Sequence, residues 1–531
     1  MNLRVSTPSF CGTMTAPSSK SHTLRALICA SLADDTSFIT APLISGDMES
    51  AVQVLRQLGV TITEVSNNPL VLKVTPPADG LLSSVEHGAT ERILDLGNSG
   101  SLLYFLGMIL AAADAPVCLT GDESLRSRPV EPLLSVYRQA GIPYSAASSK
   151  NGTGSMEVPP LRFCGPLPAG AYQLDGPFSQ PVTGLLLAAP LLNGMSRITF
   201  DKAGERPYLR MTCAWLRIAA IEVLNRGDCY FEIKGGQRYR AFTQTIPGDW
   251  SSALFPLTAA VICNAALTLT NLDPADTQGD SQALSILKTM GADIRCDTER
   301  RTVSVFPISG ELKGGRFDCA DIPDAVPILA AAAVFCTGET LLLNAGVCRF
   351  KECDRLAASA EELAKFGADI TQGEDFLRIG GSGRNSSVVN DSGGQKLHPA
   401  RVRSRGDHRI AMMLAVAACG IAARYHTGQQ SDTTRENTEK FSETSCIEDF
   451  DCVRISYPRF IEDMNAAGAV FKVQTHQAVW YISRKIMRLF LQSFTAARFK
   501  WSSNLIILRF VFILSDAFSL FFKRRIMSKG V

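Results

Sequence analysis

The 531-residue sequence has no C-x-x-C pair among its fifteen cysteines, and it contains only six histidines. The two closest cysteines, Cys348 and Cys353, have no histidine or cysteine partner at the spacing of a zinc site. These absences exclude the common zinc modules and argue against a disulfide framework. Scattered cysteines of this kind are typical of free, buried thiols in a reducing compartment.

The sequence also lacks a strong net charge and an apolar region near its first residue. A formal charge of +2 argues against a protein that coats nucleic acid, although it is compatible with a locally basic cleft. The first residues, Met1 to Pro8, lack the apolar core of a secretory signal, so we expect a cytoplasmic protein. What is present is an ordinary globular composition, in a chain long enough for two large domains.

A short pattern recurs six times along the chain: an apolar helical end, a small residue and then a β-like run. The small residues are Gly59, Gly141, Ala220, Gly291, Gly367 and Gly468, of which Ala220 marks a degenerate copy. A glycine here fits the left-handed end of a helix, after which the chain leaves as a strand. The marks lie 82, 79, 71, 76 and 101 residues apart, which predicts six α/β units, the last with an insertion. Six similar units divide naturally into two domains of three, in the α/β or α+β class.

Three segments fall outside this repeat. The polar run from Arg424 to Ser445 and the Gly-, Ser- and Asn-rich run from Gly381 to Gly394 predict exposed loops. The tail from about residue 474 to 531 is aromatic and basic. Its longest apolar run, Leu505 to Leu514, is interrupted by Arg509, so we expect an appended extension rather than a membrane-spanning helix.

Two stretches combine a helix start with residues suited to an anion. In the stretch from Asp95 to Pro129, a Gly-Asn-Ser-Gly turn leads into an apolar helical run, and Arg126 and Arg128 follow. Unpaired N–H groups at a helix start and forked arginine donors both suit phosphate or carboxylate. The stretch from Pro17 to Arg25 places cations in the first helical turns, where they oppose the helix dipole unless an anion binds there. A solvated helix face is the alternative interpretation of both stretches.

Three further charged motifs stand at the starts of helices. They are Ile322-Pro323-Asp324-Ala325, the run from Arg349 to Leu356 and the run from Arg403 to Met413. Each alone is compatible with a surface ion-pair cluster. Their recurrence at successive helix starts predicts one shared cleft, rich in cations with carboxylates interspersed, that fits a substrate with several negative groups.

In combination and in order, these motifs resemble the EPSP synthases, the 3-phosphoshikimate 1-carboxyvinyltransferase family. The resemblance covers about residues 10 to 425 and 446 to 464. Its most specific pieces are Ser19-Lys20-Ser21 with Arg25, Leu96-Gly97-Asn98-Ser99-Gly100, Arg128-Pro129, Lys351-Glu352-x-Asp354-Arg355-Leu356 and Asp407-His408-Arg409-x-Ala411-Met412.

The resemblance implies an α/β (α+β) fold: a two-domain inside-out α/β barrel, each domain made of three similar βαβαββ-type units. Residues 1–19 and 241–473 would form domain I, residues 20–240 domain II, and residues 474–531 an appended C-terminal tail. The implied reaction transfers the enolpyruvyl (carboxyvinyl) group of phosphoenolpyruvate to the 5-hydroxyl of 3-phosphoshikimate. It releases phosphate and 5-enolpyruvylshikimate 3-phosphate, a step of the shikimate pathway towards chorismate and the aromatic amino acids.

The resemblance further implies no metal and no organic cofactor. The implied partners are the two small-molecule substrates alone, with no nucleic acid and no membrane, and the chain is expected to be a monomer by analogy with the family. Closure of the two domains over the cleft would exclude water from the reaction.

The resemblance also implies roles for individual residues. Those implied to bind 3-phosphoshikimate are Lys20, Ser21, Arg25, Ser179, Gln180, Asp324 and Lys351. Those implied to bind phosphoenolpyruvate are Lys20, Gly100, Arg128, Gln180, Arg355 and Arg409. Asp324 is implied as the base at the hydroxyl. Glu352, with Lys20 nearby, is implied to protonate and later deprotonate the methylene carbon.

At several positions the sequence departs from the family pattern. Tyr104 stands at a usual arginine, Val347 at a usual asparagine, and Ile455 at a usual lysine for which the adjacent Arg454 is a possible substitute. Glu205 replaces a serine that usually contacts the substrate's phosphate, which a carboxylate would repel. These departures predict weaker substrate binding without a change of reaction class.

Two alternatives remain open from the sequence. The sister enolpyruvyltransferase that acts on a UDP-sugar usually has a cysteine in the loop that corresponds to Gly121–Pro129, where this chain has none. The other alternative is a catalytically impaired or silent binding protein of the same fold, which the departures and the unusual tail favour.

Overall fold

The computed structural model of the chain describes residues 1–86, 90–151, 154–176, 178–201, 204–383, 397–429 and 444–474. The predicted tail lies outside these residues except for Gln474, and so does most of the two predicted loops. Among the described residues, no helix is both long enough and apolar enough to cross a membrane.

The described helices carry most of the residues predicted to be functional at their first turns. In chain order they are α1 Lys20–Ser31, α2 Gly46–Gln57, α3 Leu81–Glu86, α4 Gly100–Leu110, α5 Glu131–Ala140, α6 Ser179–Ala188, α7 Arg206–Ile218, α8 Trp250–Cys263, α9 Ala283–Thr289, α10 Val326–Val334, α11 Arg355–Ala364, α12 His408–Gln429 and α13 Phe460–Ala466. Short 3₁₀ turns are Leu125–Ser127, Ala189–Leu191, Gly279–Gln282, Pro323–Ala325, Gly346–Phe350 and Phe450–Ile455. Helix α12 ends at Gln429 and so extends into the loop predicted to begin at Arg424, where the residues from Arg424 to Thr427 include no glycine or proline.

The described strands form six four-stranded sheets. Three of them, in spatial order, are Thr243–Thr245, Ser37–Thr40, Leu70–Thr75, Thr61–Asn67; then Arg92–Asp95, Pro116–Thr120, Gly154–Cys164, Tyr144–Asn151; then Ala171–Asp175, Met195–Asp201, Tyr230–Lys234, Leu224–Arg226. The other three are Thr13–Thr15, Leu267–Thr270, Thr302–Phe306, Asp293–Asp297; then Arg316–Asp318, Thr337–Leu343, Leu377–Ser382, Asp369–Gln372; then Arg401–Arg403, Ser445–Glu448, Asn2–Ser6, Val470–Gln474. In this order the first pair of every sheet is parallel and the next two pairs are antiparallel.

The six marks of the sequence repeat all have left-handed backbone geometry. Their φ angles are 84° at Gly59, 71° at Gly141, 59° at Ala220, 107° at Gly291, 88° at Gly367 and 104° at Gly468. A helix precedes each mark and a strand follows it within a few residues. The prediction of six α/β units is therefore confirmed, and Ala220 adopts the left-handed conformation in spite of its Cβ.

Buried apolar side chains form two separate cores. One core draws on residues 3–16 and 250–471, and the other on residues 24–246. The strand Thr243–Thr245 pairs with Ser37–Thr40 in a sheet of the second core, just beyond the boundary predicted at residues 240/241. The division into domains stays a prediction. What matters for the site is that helix starts from both cores meet at one cleft.

Candidate active site

A single cleft gathers the residues predicted to be functional. All of those residues line it: Lys20, Ser21, Arg25, Gly100, Arg128, Ser179, Gln180, Asp324, Lys351, Glu352, Arg355 and Arg409. Most of them stand at or next to a helix start, where backbone N–H groups and the helix dipole favour negative charge. The structure therefore confirms that the charged motifs at successive helix starts share one cleft.

One side of the cleft, here called the hydroxyl wall, consists of the starts of α1, α4 and α6. The Ser19 hydroxyl accepts a hydrogen bond from a backbone N–H of α1 at 3.5 Å, and the Ser99 hydroxyl caps α4 in the same way at 3.4 Å. Helix α6 begins at Ser179 without a side-chain cap from the residue before it. Because a hydroxyl group is neutral, the cap of α4 leaves the positive end of that helix able to attract an anion. At α1 and α6 the first backbone N–H groups also donate to carboxylates, those of Asp249 and Glu205.

The opposite side, here called the carboxylate wall, consists of the starts of α8, α10 and α12. Asp249 accepts from a backbone N–H of α8 at 2.7 Å, and Asp407 accepts from a backbone N–H of α12 at 2.7 Å. Asp324 lies in the 3₁₀ turn just before α10. These short, charge-assisted bonds place negative charge at the helix starts themselves.

Arg355 is the centre of an ion-pair network on the carboxylate wall. Its guanidinium donates to Asp324 Oδ1 at 2.6 Å, to Glu352 Oε2 at 2.5 Å and to Asp407 Oδ2 at 2.7 Å. The side chain is 1% exposed. Burial alone would lower the pKa of Arg355, but Asp407, Glu352 and Asp324 raise it well above its usual value. The guanidinium is therefore a fixed positive charge at the floor of the cleft.

The two candidate acid–base carboxylates are both held in the ionised form. Asp324 also accepts from Arg409 Nη2 at 2.9 Å and from the Tyr208 hydroxyl at 3.1 Å. Burial alone would raise the pKa of Asp324, but the nearby cations, led by Arg409, hold it well below its usual range. Burial alone would also raise the pKa of Glu352, but Arg355 and Arg128 lower it, so that it lies well below its ordinary value.

Gly100 and Arg128 fit together on the hydroxyl wall. The Arg128 guanidinium donates to Asn98 Oδ1 at 3.0 Å and lies 3.6 Å from Glu352 Oε1 across the cleft. A Cβ added at Gly100 would lie 2.5 Å from Arg128 Nη1. The glycine thus allows the guanidinium to lie against the N-terminus of α4, as expected for a joint anion site.

Lys20 and Arg25 extend from α1 in different electrostatic environments. Lys20 Nζ pairs with Asp47 Oδ2 at 3.0 Å, and its backbone N–H donates to Asp249 Oδ2 at 3.1 Å. Arg25 instead donates to three neutral oxygens, on Thr212, Ser21 and Tyr208. Burial lowers the pKa of Arg25 to about 10, which leaves it charged at neutral pH. A buried guanidinium held by neutral acceptors is well placed to receive an anionic ligand.

The departures from the family pattern have distinct outcomes. The Tyr104 hydroxyl lines the cleft and donates to the Pro129 carbonyl at 2.7 Å, and burial raises its pKa, so a neutral phenol stands in this place. Val347 is buried and is not part of the cleft lining. The expectation that Arg454 replaces a missing lysine is wrong, because Arg454 is exposed and the neighbouring lining residue is Ser456.

Two acidic residues in or next to the cleft lining have no separate signal in the sequence. Asp47 lies in the first turn of α2, where an acidic residue is already expected for helix capping. Asp280 is buried and accepts a hydrogen bond from the Ser251 hydroxyl. Burial, reinforced by Asp324, raises the pKa of Asp280 to about 7. Only the packing of separate chain segments brings Asp47 into the cleft lining and Asp280 against the lining residue Ser251.

One group among the described residues has donor atoms close enough to suggest a metal site. Glu352, Asp407 and His408 place potential ligand atoms within 4.8 Å of one another. Arg355 donates to both carboxylates, so a positive charge already occupies the space between them. Burial also lowers the pKa of His408 well below its usual value, which keeps the ring neutral. We interpret this group as part of the ion-pair network.

Comparisons with known proteins agree on one family. The family model of EPSP synthase (3-phosphoshikimate 1-carboxyvinyltransferase) matches residues 7–464. The 3-phosphoshikimate 1-carboxyvinyltransferase of Acetivibrio thermocellus is 36% identical over 469 residues, covering 88% of this chain and 99% of the relative. That of Methanothrix thermoacetophila is 35% identical over 477 residues, covering 90% of this chain and 100% of the relative. A solved EPSP synthase structure from Acinetobacter baumannii has a TM-score of 0.66 and 26% identity, covering 89% of this chain and 100% of that structure.

Proposed function

Because the chain belongs to the EPSP synthase (3-phosphoshikimate 1-carboxyvinyltransferase) family, whose reaction is enolpyruvyl transfer in the shikimate pathway, we propose specific roles for the residues of its cleft. The reaction moves the enolpyruvyl group of phosphoenolpyruvate to 3-phosphoshikimate and releases phosphate. The observation that carries the assignment of roles is that every residue predicted for both substrates lines the same cleft.

The two substrates together bring two phosphates and two carboxylates, and the cleft offers matching donors. The proposed 3-phosphoshikimate ligands are Lys20, Ser21, Arg25, Ser179, Gln180, Asp324 and Lys351. The proposed phosphoenolpyruvate ligands are Lys20, Gly100, Arg128, Gln180, Arg355 and Arg409. Arginine forks and helix starts both suit these anions, and holding two substrates together supplies much of the rate acceleration.

Substrate binding would change the ion-pair network in a way that serves catalysis. Arg355 and Arg409 bind Asp324 in the structure, and Arg355 also binds Glu352. A phosphate or carboxylate that takes over these donors would leave both protein carboxylates less neutralised. Their pKa values would then rise towards the range in which a carboxylate accepts and returns protons. The network thus favours base strength only when substrate is present.

In the addition step we assign the proton transfers to opposite sides of phosphoenolpyruvate. The 5-hydroxyl oxygen of 3-phosphoshikimate forms a bond to C2 of phosphoenolpyruvate, and its proton passes to Asp324. The methylene carbon gains a proton from Glu352, with Lys20 nearby, to give a tetrahedral intermediate. Glu352 takes up this proton beforehand, when bound substrate displaces Arg355 from its carboxylate and raises its pKa. The elimination step breaks the bond between C2 and the phosphate oxygen, and the Glu352 carboxylate removes a proton from the new methyl group. Phosphate leaves with the bonding electron pair.

Three coarser features of the chain complete the proposal. We assign domain I to residues 1–19 and 241–473 and domain II to residues 20–240, with closure over the cleft as the step that excludes water. By analogy with the family, we further assign a monomer. The absence of a spanning helix among the described residues is compatible with our assignment to the cytoplasm.

A phosphate-release assay tests the assigned roles. Wild-type protein is expected to release phosphate only when phosphoenolpyruvate and 3-phosphoshikimate are both present. Asp324→Asn keeps the shape of the side chain and removes the base, so turnover is expected to fall by about 10²- to 10⁴-fold. Asp318→Asn is the matched control, since Asp318 is exposed nearby and is not part of the cleft lining.

The same assay separates the alternatives. Phosphate release with a UDP-sugar as acceptor would overturn the substrate assignment. No turnover by wild-type protein, combined with retained 3-phosphoshikimate binding in calorimetry, would favour the silent binding protein. An equal loss of turnover in Asp324→Asn and Asp318→Asn would show that Asp324 supports the structure and does not act as the base.

A further inference from the structure

Glu205 directs its carboxylate away from its own helix. It lies immediately before α7, is 1% exposed and has the left-handed φ of 53°. Its side chain makes no capping bond to α7, and its backbone N–H donates to the Ala320 carbonyl at 3.1 Å. The usual structural role of an acidic residue at a helix start, to cap that helix, therefore does not explain this residue.

The carboxylate instead binds donors from two other segments. Its Oε2 accepts from the Ser179 N–H at 3.0 Å and from the Ser179 hydroxyl at 2.9 Å. Its Oε1 accepts from Lys351 Nζ. The three donors come from the start of α6 on the hydroxyl wall and from the residue four positions before α11 on the opposite side of the cleft.

These donors have the chemistry of a phosphate site. A backbone N–H at a helix start, a hydroxyl and an ammonium group bind phosphate oxygens in the same way as they bind the carboxylate here. Each N–H carries one hydrogen, so two anions cannot both take the Ser179 N–H at full strength. A second anion beside a buried carboxylate would also experience repulsion in a site of low dielectric constant.

We propose that Glu205 is a built-in anion that competes with the phosphate of the acceptor for Ser179 and Lys351, and so sets the preference between phosphorylated and unphosphorylated acceptors. The inference rests on the proposed function, in which these two residues bind 3-phosphoshikimate. A phosphorylated acceptor binds after the Glu205 carboxylate has left these donors. An acceptor without that phosphate leaves the carboxylate in place.

Calorimetric titrations of 3-phosphoshikimate, shikimate and inorganic phosphate test the inference on the full chain. Glu205→Ser removes the carboxylate, and Glu205→Gln keeps the size and removes the charge. Glu131→Ser is the matched control for net charge, because Glu131 pairs with the exposed Arg138 away from the cleft lining. Melting curves of each variant show whether it is folded.

The two Glu205 variants are expected to bind 3-phosphoshikimate at least about tenfold more tightly than wild type, the effect of one recovered charge-assisted contact. The affinity of both Glu205 variants for inorganic phosphate is also expected to be higher than that of wild type. The affinity of the Glu205 variants for shikimate is expected to stay near the wild-type value. The Glu131→Ser control is expected to bind all three ligands as wild type does. If Glu205→Ser does not fold, the gain in Glu205→Gln decides the question.

Other outcomes overturn the inference. Unchanged or weaker 3-phosphoshikimate binding in a folded Glu205 variant would show that the carboxylate positions Ser179 and Lys351 and does not compete with phosphate. Equal gains for shikimate and 3-phosphoshikimate would show a general loosening of the cleft. Failure of the proposed function is seen separately, as absent turnover in wild type, and leaves the inorganic phosphate titration readable.

Discussion

The hydroxyl wall and the carboxylate wall differ in the groups that satisfy their helix starts. Ser19 and Ser99 make long, neutral caps of 3.5 and 3.4 Å, whereas Asp249 and Asp407 make charged caps of 2.7 Å. On the hydroxyl wall the neutral cap of α4 therefore leaves its positive end available to a ligand, whereas the starts of α1 and α6 already donate to Asp249 and Glu205. The carboxylate wall neutralises its own cations in advance, so a substrate must exchange with internal ion pairs there. Glu205 thus places a carboxylate at a helix start of the hydroxyl wall, which is the arrangement typical of the carboxylate wall.

The largest effect is expected on the free energy of unfolding, when one carboxylate is removed from the carboxylate wall. Asp407→Ser leaves the buried Arg355 guanidinium without its Nε partner. Breaking a buried ion pair in this way typically lowers the free energy of unfolding by about 3–5 kcal/mol. Chemical denaturation of wild type and variant measures the loss. A change below about 1 kcal/mol, the size expected for an exposed pair, would contradict the importance of this network.

A smaller effect comes from acid, which weakens the carboxylate wall without mutation. Asp324 and Glu352 have folded-state pKa values below those of the unfolded chain, so the folded protein binds fewer protons and stability rises with pH in this window. Their contribution is complete above about pH 4, the unfolded value, and is lost as the pH falls through the folded values. The stability gap between wild type and Asp324→Asn is therefore expected to narrow below pH 4. A gap independent of pH would contradict the assignment.

Next in size is a carboxylate added to the hydroxyl wall. Ser99→Asp would cap α4 more strongly but place a negative charge at the proposed phosphoenolpyruvate site. The KM for phosphoenolpyruvate is expected to rise by about tenfold, equivalent to about 1.4 kcal/mol. Ser99→Ala is the control, since it removes the cap, at about 1 kcal/mol of stability, and adds no charge. Similar KM values in the two variants would show that the walls do not differ electrostatically.

The smallest effect is expected at a capping aspartate that lies outside the cleft lining. Asp354 caps α11 and pairs with Arg349, which also lies outside the lining. Serine caps a helix about as well as aspartate, so Asp354→Ser is expected to lose only the partly exposed ion pair, below about 1 kcal/mol. Steady-state kinetics are expected to stay at wild-type values. A large kinetic defect would mean that Asp354 itself contributes to the cleft.

Local patterns were sufficient for much of the fold. The six marks are readable because a left-handed helix end strongly favours glycine, and every mark is followed by a strand. The pairing of strands was not readable. Thr243–Thr245 joins a sheet whose other strands lie about 170 to 200 residues earlier in the chain. Such a partner leaves no periodic signal near the strand itself.

The residues of the site also divide into those that local sequence patterns predict and those that they do not. Lys20, Arg128, Arg355 and Arg409 could be predicted because clustered cations at helix starts have few structural uses. Asp47 and Asp280 could not, since acidic residues in the first turn of an α-helix or a 3₁₀ helix are common in any protein. The expectation about Arg454 failed for a related reason. Sequence adjacency to Ile455 says nothing about which side chain faces the cleft, and the structure leaves Arg454 exposed.

The sequence by itself determined the six-unit repeat, the family and the identity of the charged groups, because these depend on local backbone preference and on residue type. Only the tertiary structure decided which charges pair with one another. It showed Asp324, Glu352 and Asp407 converging on Arg355, and it showed Glu205 bound to Ser179 and Lys351. The reason is physical: the strength of an ion pair depends on distance and burial, and these are set by segments far apart in the chain.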